Sequence, residues 1–348
     1  MTKLVVDFHA HVLEREVLER SWMHNVASGF GTNGPAKPGS RQDGLQRKQL
    51  DPAAHLEDMD RYGIDVSVLS LSTVISGGQW ADPETDLDLN RRSNDHIAEL
   101  VRAHPARFVG SFSVPLQDVD LSLRELDRCV DELGLRIVNL PAAARGMYLG
   151  NPRFFPLWEQ VAGRRLVVFV HPDGVTDRWY QEYSLWNSVG QPIEETKVMS
   201  SIIYEGVFDR WPSVRIVMAH GGGYLPHYYG RHDRNVGNRP ETARNITGKP
   251  SDYLRRFYYD TCVYVPHVLE ELVDLVGAER IMVGSDWPMG GIDPLAFVDQ
   301  ARNVGSAESG LIKGGTAAAL LQDAGALPTP EQPTSDTQEG RTDEAFNV

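Results

Sequence analysis

The sequence predicts an α/β fold, a single (β/α)8 barrel, on three observations. Eight short β-forming segments recur, stretches long enough for a helix separate them, and several of the segments end on a histidine or an aspartate. The segments run Leu4–Phe8, Asp65–Leu71, Arg107–Ser113, Leu135–Leu140, Arg165–Val170, Val214–Ala219, Phe257–Thr261 and Arg280–Ser285. LVVF, RIVMA and RIMVG are near-continuous apolar runs, the pattern of parallel strands covered on both faces. Strands alternating with helices imply a parallel sheet, and a count of eight favours closure into a barrel. A length of 348 residues does not by itself choose between one domain and two.

Helical patterns fall at Pro52–Tyr62, Asp88–Ala103, Leu121–Leu133, Glu194–Arg210, Val265–Val276 and Pro294–Asn303. The first opens with proline, whose missing N–H costs nothing in a first turn, and the fifth carries apolar residues at helical spacing in VPHVLEELVDLV. Two segments read as loops. Ser28–Gly44 holds five Gly and two Pro after strand one, and Asp173–Pro192 holds two Trp and two Tyr after strand five. In a barrel, such loops lie on the catalytic face. The expected organisation is one barrel over 1–325, with an insertion at about 22–50, followed by an acidic tail over 326–348 that is expected to be disordered.

Apolar residues at 41% and charged residues at 24% are ordinary for a globular chain. No window approaches the roughly 18 apolar residues of a membrane span. A formal net charge of −14 argues against a nucleic-acid surface. Residues 328–348 carry five acids and one Arg, so the body is near −10 and an anionic substrate needs a local basic group. Two cysteines, Cys129 and Cys262, are too few for a disulfide framework, and no signal segment opens the chain, so cytoplasmic residence is expected.

Four histidines and one aspartate fall at or just past the C-terminal ends of different predicted strands. His9 and His11 close strand one in DFHAH, His171 closes strand five in VVFVHP, His220 closes strand six in VMAHGGG, and Asp286 closes strand eight in GSDWP. Strand residues alternate faces, so His9 and His11 project to one side. Three imidazoles and a carboxylate suit zinc or another borderline divalent ion, with room for water or substrate. The remaining histidines lie on expected helices or loops, where solvated roles are the better reading; His227 and His232 are near the Gly-rich turn.

DFHAH, VHP, MAHGGG and GSDWP, in this order and at these intervals, resemble the amidohydrolase superfamily, in particular its decarboxylase branch typified by aminocarboxymuconate-semialdehyde decarboxylase. The resemblance spans Lys3 to Leu321, and the stretch from LWNSVGQPIEET to MAHGGGYLP is its most specific part. It implies a metal-dependent TIM barrel in which His9, His11, His171 and Asp286 hold one divalent metal, zinc by preference or manganese. His220 would serve as acid/base, no organic cofactor would be needed, and the assembly would be a homodimer. Binuclear members bridge two metals from the end of strand four, where this chain reads IVNLPAA and offers no bridging ligand at Asn139 or Leu140.

The resemblance also implies substrate contacts at Arg231, in HGGGYLPHYYGR, where relatives often place an arginine, and at Arg47, in QRKQLDP, near an arginine of the decarboxylase branch; a guanidinium pairs with a carboxylate through two hydrogen bonds. Trp186 and Trp287 are the expected walls for an aromatic or dienoic ligand. One departure from the family is GGTAAALL near the end, where relatives turn through Gly-Asn-Ala. The implied reaction is non-oxidative decarboxylation of a small aromatic or muconate-type carboxylic acid, with His220 or Asp286 delivering the proton. Hydrolysis of a C–C, lactone or amide bond, or hydration, is the alternative, because one fold and one ligand set support all of these.

Overall fold

The computed structural model describes residues 4–29, 31, 36–175 and 177–327. The expected tail therefore lies, from 328 onward, outside the described residues. Eight parallel strands form one sheet: β1 (Val6–Val12), β2 (Val66–Leu71), β3 (Phe108–Phe112), β4 (Ile137–Leu140), β5 (Val167–Val170), β6 (Arg215–Met218), β7 (Phe257–Asp260) and β8 (Ile281–Met282). Each pairs with the next in sequence order. The Phe8 amide donates to the Val283 carbonyl at 2.8 Å and Ala10 bridges to Trp287 in parallel, which closes the barrel.

All eight expected strands are present, and Pro52–Tyr62 is a helix with the expected bounds. Asp51 caps its first turn and Gly63, at φ 73°, ends it in the left-handed conformation that glycine adopts without strain. The expected helix Glu194–Arg210 is two helices, Gln191–Tyr204 and Val207–Arg210, because Gly206 at φ 72° breaks it. The glycine-rich loop after strand one also needs correction. A helix runs from Arg41 to Gln49, capped by the Ser40 side chain on the Asp43 amide, inside a stretch whose glycine content alone reads as irregular.

The barrel interior is filled by Val6, Phe8, Val68, Ile137, Phe169 and Val217, all essentially without solvent exposure. Ala317, Leu320 and Leu321, on the terminal helix Thr316–Asp323, join the same cluster beside Val6 and Val66 near the starts of their strands. That helix stoppers the end away from the histidines. The GGTAAALL departure lies here: a Cβ on Gly314 would collide with the Leu4 carbonyl leading into β1, so close backbone approach demands glycine.

The outer layer packs helices on the other strand face. Trp158 is 1% exposed, on the helix Phe155–Gly163, and its Nε1 donates to the Leu149 carbonyl at 2.8 Å. Trp158→Ala is expected to cost about 3–5 kcal/mol of stability, from the cavity and the orphaned carbonyl. Urea unfolding measures it, and a loss under about 1 kcal/mol would mean that this helix layer is not what holds the strands.

Candidate metal centre

The residues singled out at strand ends converge at the C-terminal mouth of the barrel. His9 and His11 lie within β1 rather than at its end, and the pairing with β2 shifts register between Asp7 and Ala10. That bulge breaks simple alternation, so Phe8 and His9 both meet Phe169, at 5.9 and 5.0 Å between ring centroids. His171 follows β5 directly, and its amide donates to the Leu140 carbonyl. His220 and Asp286 both sit in left-handed turns, at φ 50° and 51°, a strained backbone for non-glycine residues that turns each side chain back over the barrel mouth.

The glycines after His220 answer a packing demand. A Cβ on Gly222 would stand 2.8 Å from the Tyr259 ring and 2.9 Å from the Met199 sulfur. Only a bare backbone lets this turn lie against both β7 and the helix Gln191–Tyr204.

His9 Nε2 lies 3.0 Å from His11 Nε2, and Asp286 Oδ1 lies 3.5 and 3.2 Å from these two nitrogens. One ligand atom each from His9, His11, His171 and Asp286 falls within a sphere where all are within 4.8 Å of one another. Two of the three far ring nitrogens are engaged elsewhere: His9 Nδ1 is 2.6 Å from Asp260 Oδ2, and His171 Nδ1 is 3.0 Å from the Pro172 carbonyl, while His11 Nδ1 is buried without a partner among the described residues. Each partner accepts the hydrogen bond from Nδ1–H and leaves Nε2 unprotonated toward the centre, which is how outer hydrogen bonds prepare imidazole for a cation. The donor set therefore fits a borderline divalent metal.

Asp7 braces the arrangement. It accepts from the His9 amide, the Ser285 amide and the Ser285 hydroxyl at 3.1, 2.9 and 2.6 Å, joining β1 to the turn that carries Asp286. Burial pushes its carboxyl up to about 6 against those donors.

Electrostatics follow burial and crowding. Burial drives His171 well below the usual histidine range, helped by the imidazoles of His11, His220 and His9. Burial likewise lowers His11, in spite of its bond to Asp286. Burial would raise Asp286, but the His11 hydrogen bond and the surrounding imidazoles outweigh it and hold the carboxyl down at about 2. His220 is different. Burial lowers it, yet the Glu195 carboxylate, 2.5 Å from Nδ1, lifts it to about 9, while burial lifts Glu195 itself to about 7.

A cavity of about 770 Å³ opens above the four donors, with His11, His171, His220 and Asp286 in its lining. Of the four expected substrate contacts, Trp186 lines it and the other three do not. Trp287 stacks on His55 with centroids 3.9 Å apart and donates from Nε1 to Asp58 at 2.9 Å, facing the helix Pro52–Tyr62. The left-handed backbone at Asp286 turns its carboxylate in over the mouth and sends Trp287 out. Arg47 is exposed and pairs with Asp43 at 3.1 Å on its own helix. Arg231 is exposed on the helix Gly230–Asn238, which leads away from the mouth after Tyr224 and His227 have taken the cavity wall. The helix that the sequence concealed puts Arg41 at the cavity instead, the one guanidinium or ammonium group among the described residues lining it.

The amidohydrolase family model matches residues 6–321. The chain belongs to the amidohydrolase family. The enzyme is 31% identical to 2-amino-3-carboxymuconate-6-semialdehyde decarboxylase of Dictyostelium discoideum, over 91% of each chain. Its structure resembles that of 5-carboxyvanillate decarboxylase from Sphingomonas paucimobilis, with a TM-score of 0.82, 26% identity and coverage of 92% of this chain and 99% of that one. It also resembles a dihydroxybenzoic acid decarboxylase from Polaromonas sp. JS666 with bound manganese, with a TM-score of 0.76, 26% identity and coverage of 92% and 97%. No helix of the described residues is long and apolar enough to cross a membrane.

Four residues of this amidohydrolase were missed by sequence reasoning. Asp7 and Asp260 sit in the strand segments DFH and YYD, where an acid in an apolar run was the available signal. Glu195 lies on the buried face of its helix with Gln191, Val198, Met199 and Ile202, and Arg41 in a segment read as loop.

Proposed function

We propose that this amidohydrolase is a divalent-metal-dependent, non-oxidative decarboxylase of a small aromatic or muconate-type carboxylic acid. His9, His11, His171 and Asp286 would hold one cation, zinc by preference with manganese the other candidate, and the protein would work without an organic cofactor, as a cytoplasmic homodimer. The observation that carries the reading is the convergence of four donors beneath a cavity whose lining, among the described residues, holds a single guanidinium. The decarboxylases to which the chain is similar support the reaction class.

The bound cation would supply Lewis-acid stabilisation for negative charge that develops on the substrate's oxygens. The chain's own residues do the rest. Arg41 pairs with a carboxylate of the substrate through its planar fork, and Trp186 and Val263 give apolar wall to the ring or diene. As the C–C bond breaks, its electron pair stays on the carbon and carbon dioxide leaves. His220 holds the proton that this carbon takes up, with its imidazolium favoured by Glu195.

The deciding experiment is metal analysis of the purified protein coupled to carbon-dioxide release from hydroxybenzoates, aminobenzoates and carboxymuconate-type acids. One metal per chain with release from any of these supports the proposal. One metal without release from any of them overturns decarboxylation in favour of hydrolysis or hydration.

Arg41→Met should lower kcat/KM roughly 10- to 100-fold, the scale of a hydrogen bond to a charged group, acting mainly through KM. Arg47→Met, on the outer face of the same helix, should leave both constants unchanged. The reverse pattern would return the carboxylate contact to Arg47.

A further inference from the structure

His220 could present either ring nitrogen to the cavity, because rotation about its last side-chain bond exchanges the two sides of the ring. One contact removes that freedom. Glu195 is fully buried on the helix Gln191–Tyr204, and its Oε1 lies 2.5 Å from His220 Nδ1. We propose that Glu195 is a positioning residue of the reaction, fixing the orientation and tautomer of His220 so that Nε2 is the nitrogen presented to substrate. The inference rests on the reading above that His220 is the acid/base.

The nearby carboxylates are committed to other partners. Asp260 Oδ2 is held by His9 Nδ1, and its Oδ1 accepts from the Gly221 and Cys262 amides. Asp286 faces His9 and His11. Asp7 is taken by Ser285 and the His9 amide. Glu195 is left as the group that addresses Nδ1 of His220.

The same helix turn also grips the backbone that carries His220. Thr196 Oγ1 accepts from the Tyr224 amide at 3.0 Å, and a Cβ on Gly223 would stand 2.9 Å from Glu195 Oε2 and collide with the Pro192 carbonyl. Helix and glycine turn are therefore seated against each other, and Glu195 reaches the ring from a rigid base. A carboxylate behind an imidazole, accepting Nδ1–H, holds the ring and leaves the opposite nitrogen to work. Glu195 itself is not among the cavity-lining residues, so its effect passes through His220.

The test compares Glu195→Ala and Glu195→Gln with the wild-type holoenzyme loaded with zinc. The alanine variant should lose roughly 10- to 100-fold in kcat, the usual worth of an outer hydrogen-bond partner, with KM and metal content unchanged. The glutamine variant keeps an acceptor oxygen and should recover most of that loss. Independently of turnover, the imidazole 15N resonances of His220, assigned by their disappearance in His220→Asn and recorded in solution alkaline enough for the ring to be neutral, should report Nδ1–H in the wild type and in Glu195→Gln and shift toward the other tautomer in Glu195→Ala. Unmoved resonances with unchanged kcat in the alanine variant overturn the proposal, as does metal loss in both variants. If the alanine variant does not fold, wild-type resonances that report Nε2–H rather than Nδ1–H overturn it as well. A wild type that releases no carbon dioxide from any acid sinks the decarboxylase reading alone, and the nitrogen resonances still decide Glu195.

Discussion

Replacing His171 by alanine should strip the enzyme of its metal and its turnover together. His171 supplies one of only three imidazoles in the donor set, and its Nδ1 is already spent on the Pro172 carbonyl. Removing the ring leaves two histidines and a carboxylate. The loss should exceed the roughly 10- to 100-fold in affinity that even an outer partner of a ligand is worth. Metal per chain after desalting, measured by elemental analysis, should fall from about one to a small fraction, and dialysis of the wild type against a chelator should reproduce the loss of activity reversibly. Retention of a full equivalent by His171→Ala would remove His171 from the ligand set.

The pH dependence of retention follows from the same burial. Metal binding requires neutral imidazole, so protons compete with it. Burial and neighbouring imidazoles hold His171 and His11 below the ordinary histidine range, which favours their neutral forms and moves that competition to more acidic solution. Metal should thus stay bound as pH falls through the range where free histidine protonates, and leave only below it.

The parts of this enzyme legible in the sequence are those that local pattern dictates. Segments rich in β-formers marked every strand, several of them as near-continuous apolar runs, because a parallel strand buried on both faces has little polar alternation to hide it. DFHAH, HP, HGGG and SDW marked the strand-end cluster because glycine and proline turns bracket it. Trp287 was misplaced because facing depends on the left-handed kink at Asp286, which composition does not announce. Arg41 was hidden because five glycines nearby read as loop, while the serine cap that starts a helix there is one residue long. Glu195 and Asp260 could not be found at all from spacing. Their partners His220 and His9 lie 25 and 251 residues away, and only closure of the barrel brings them together.

His220→Asn should separate chemistry from metal binding. Its ring packs 5.0 Å from His171 and 5.3 Å from His9 but lies outside the four-donor group, so the variant should keep its metal. Loss of a positioned proton donor typically costs about 10²–10⁴-fold, and the fall should appear in kcat with little change in KM. Steady-state rates and metal analysis on the same preparation check this, and equal metal loss with His171→Ala would make His220 a ligand. The pairing with Glu195 adds a second constraint. If Glu195 acts only through this imidazole, then Glu195→Ala should cost nothing further once His220 is gone, so the double variant should match His220→Asn. Additive losses would instead mean that the buried carboxylate touches the reaction by another route.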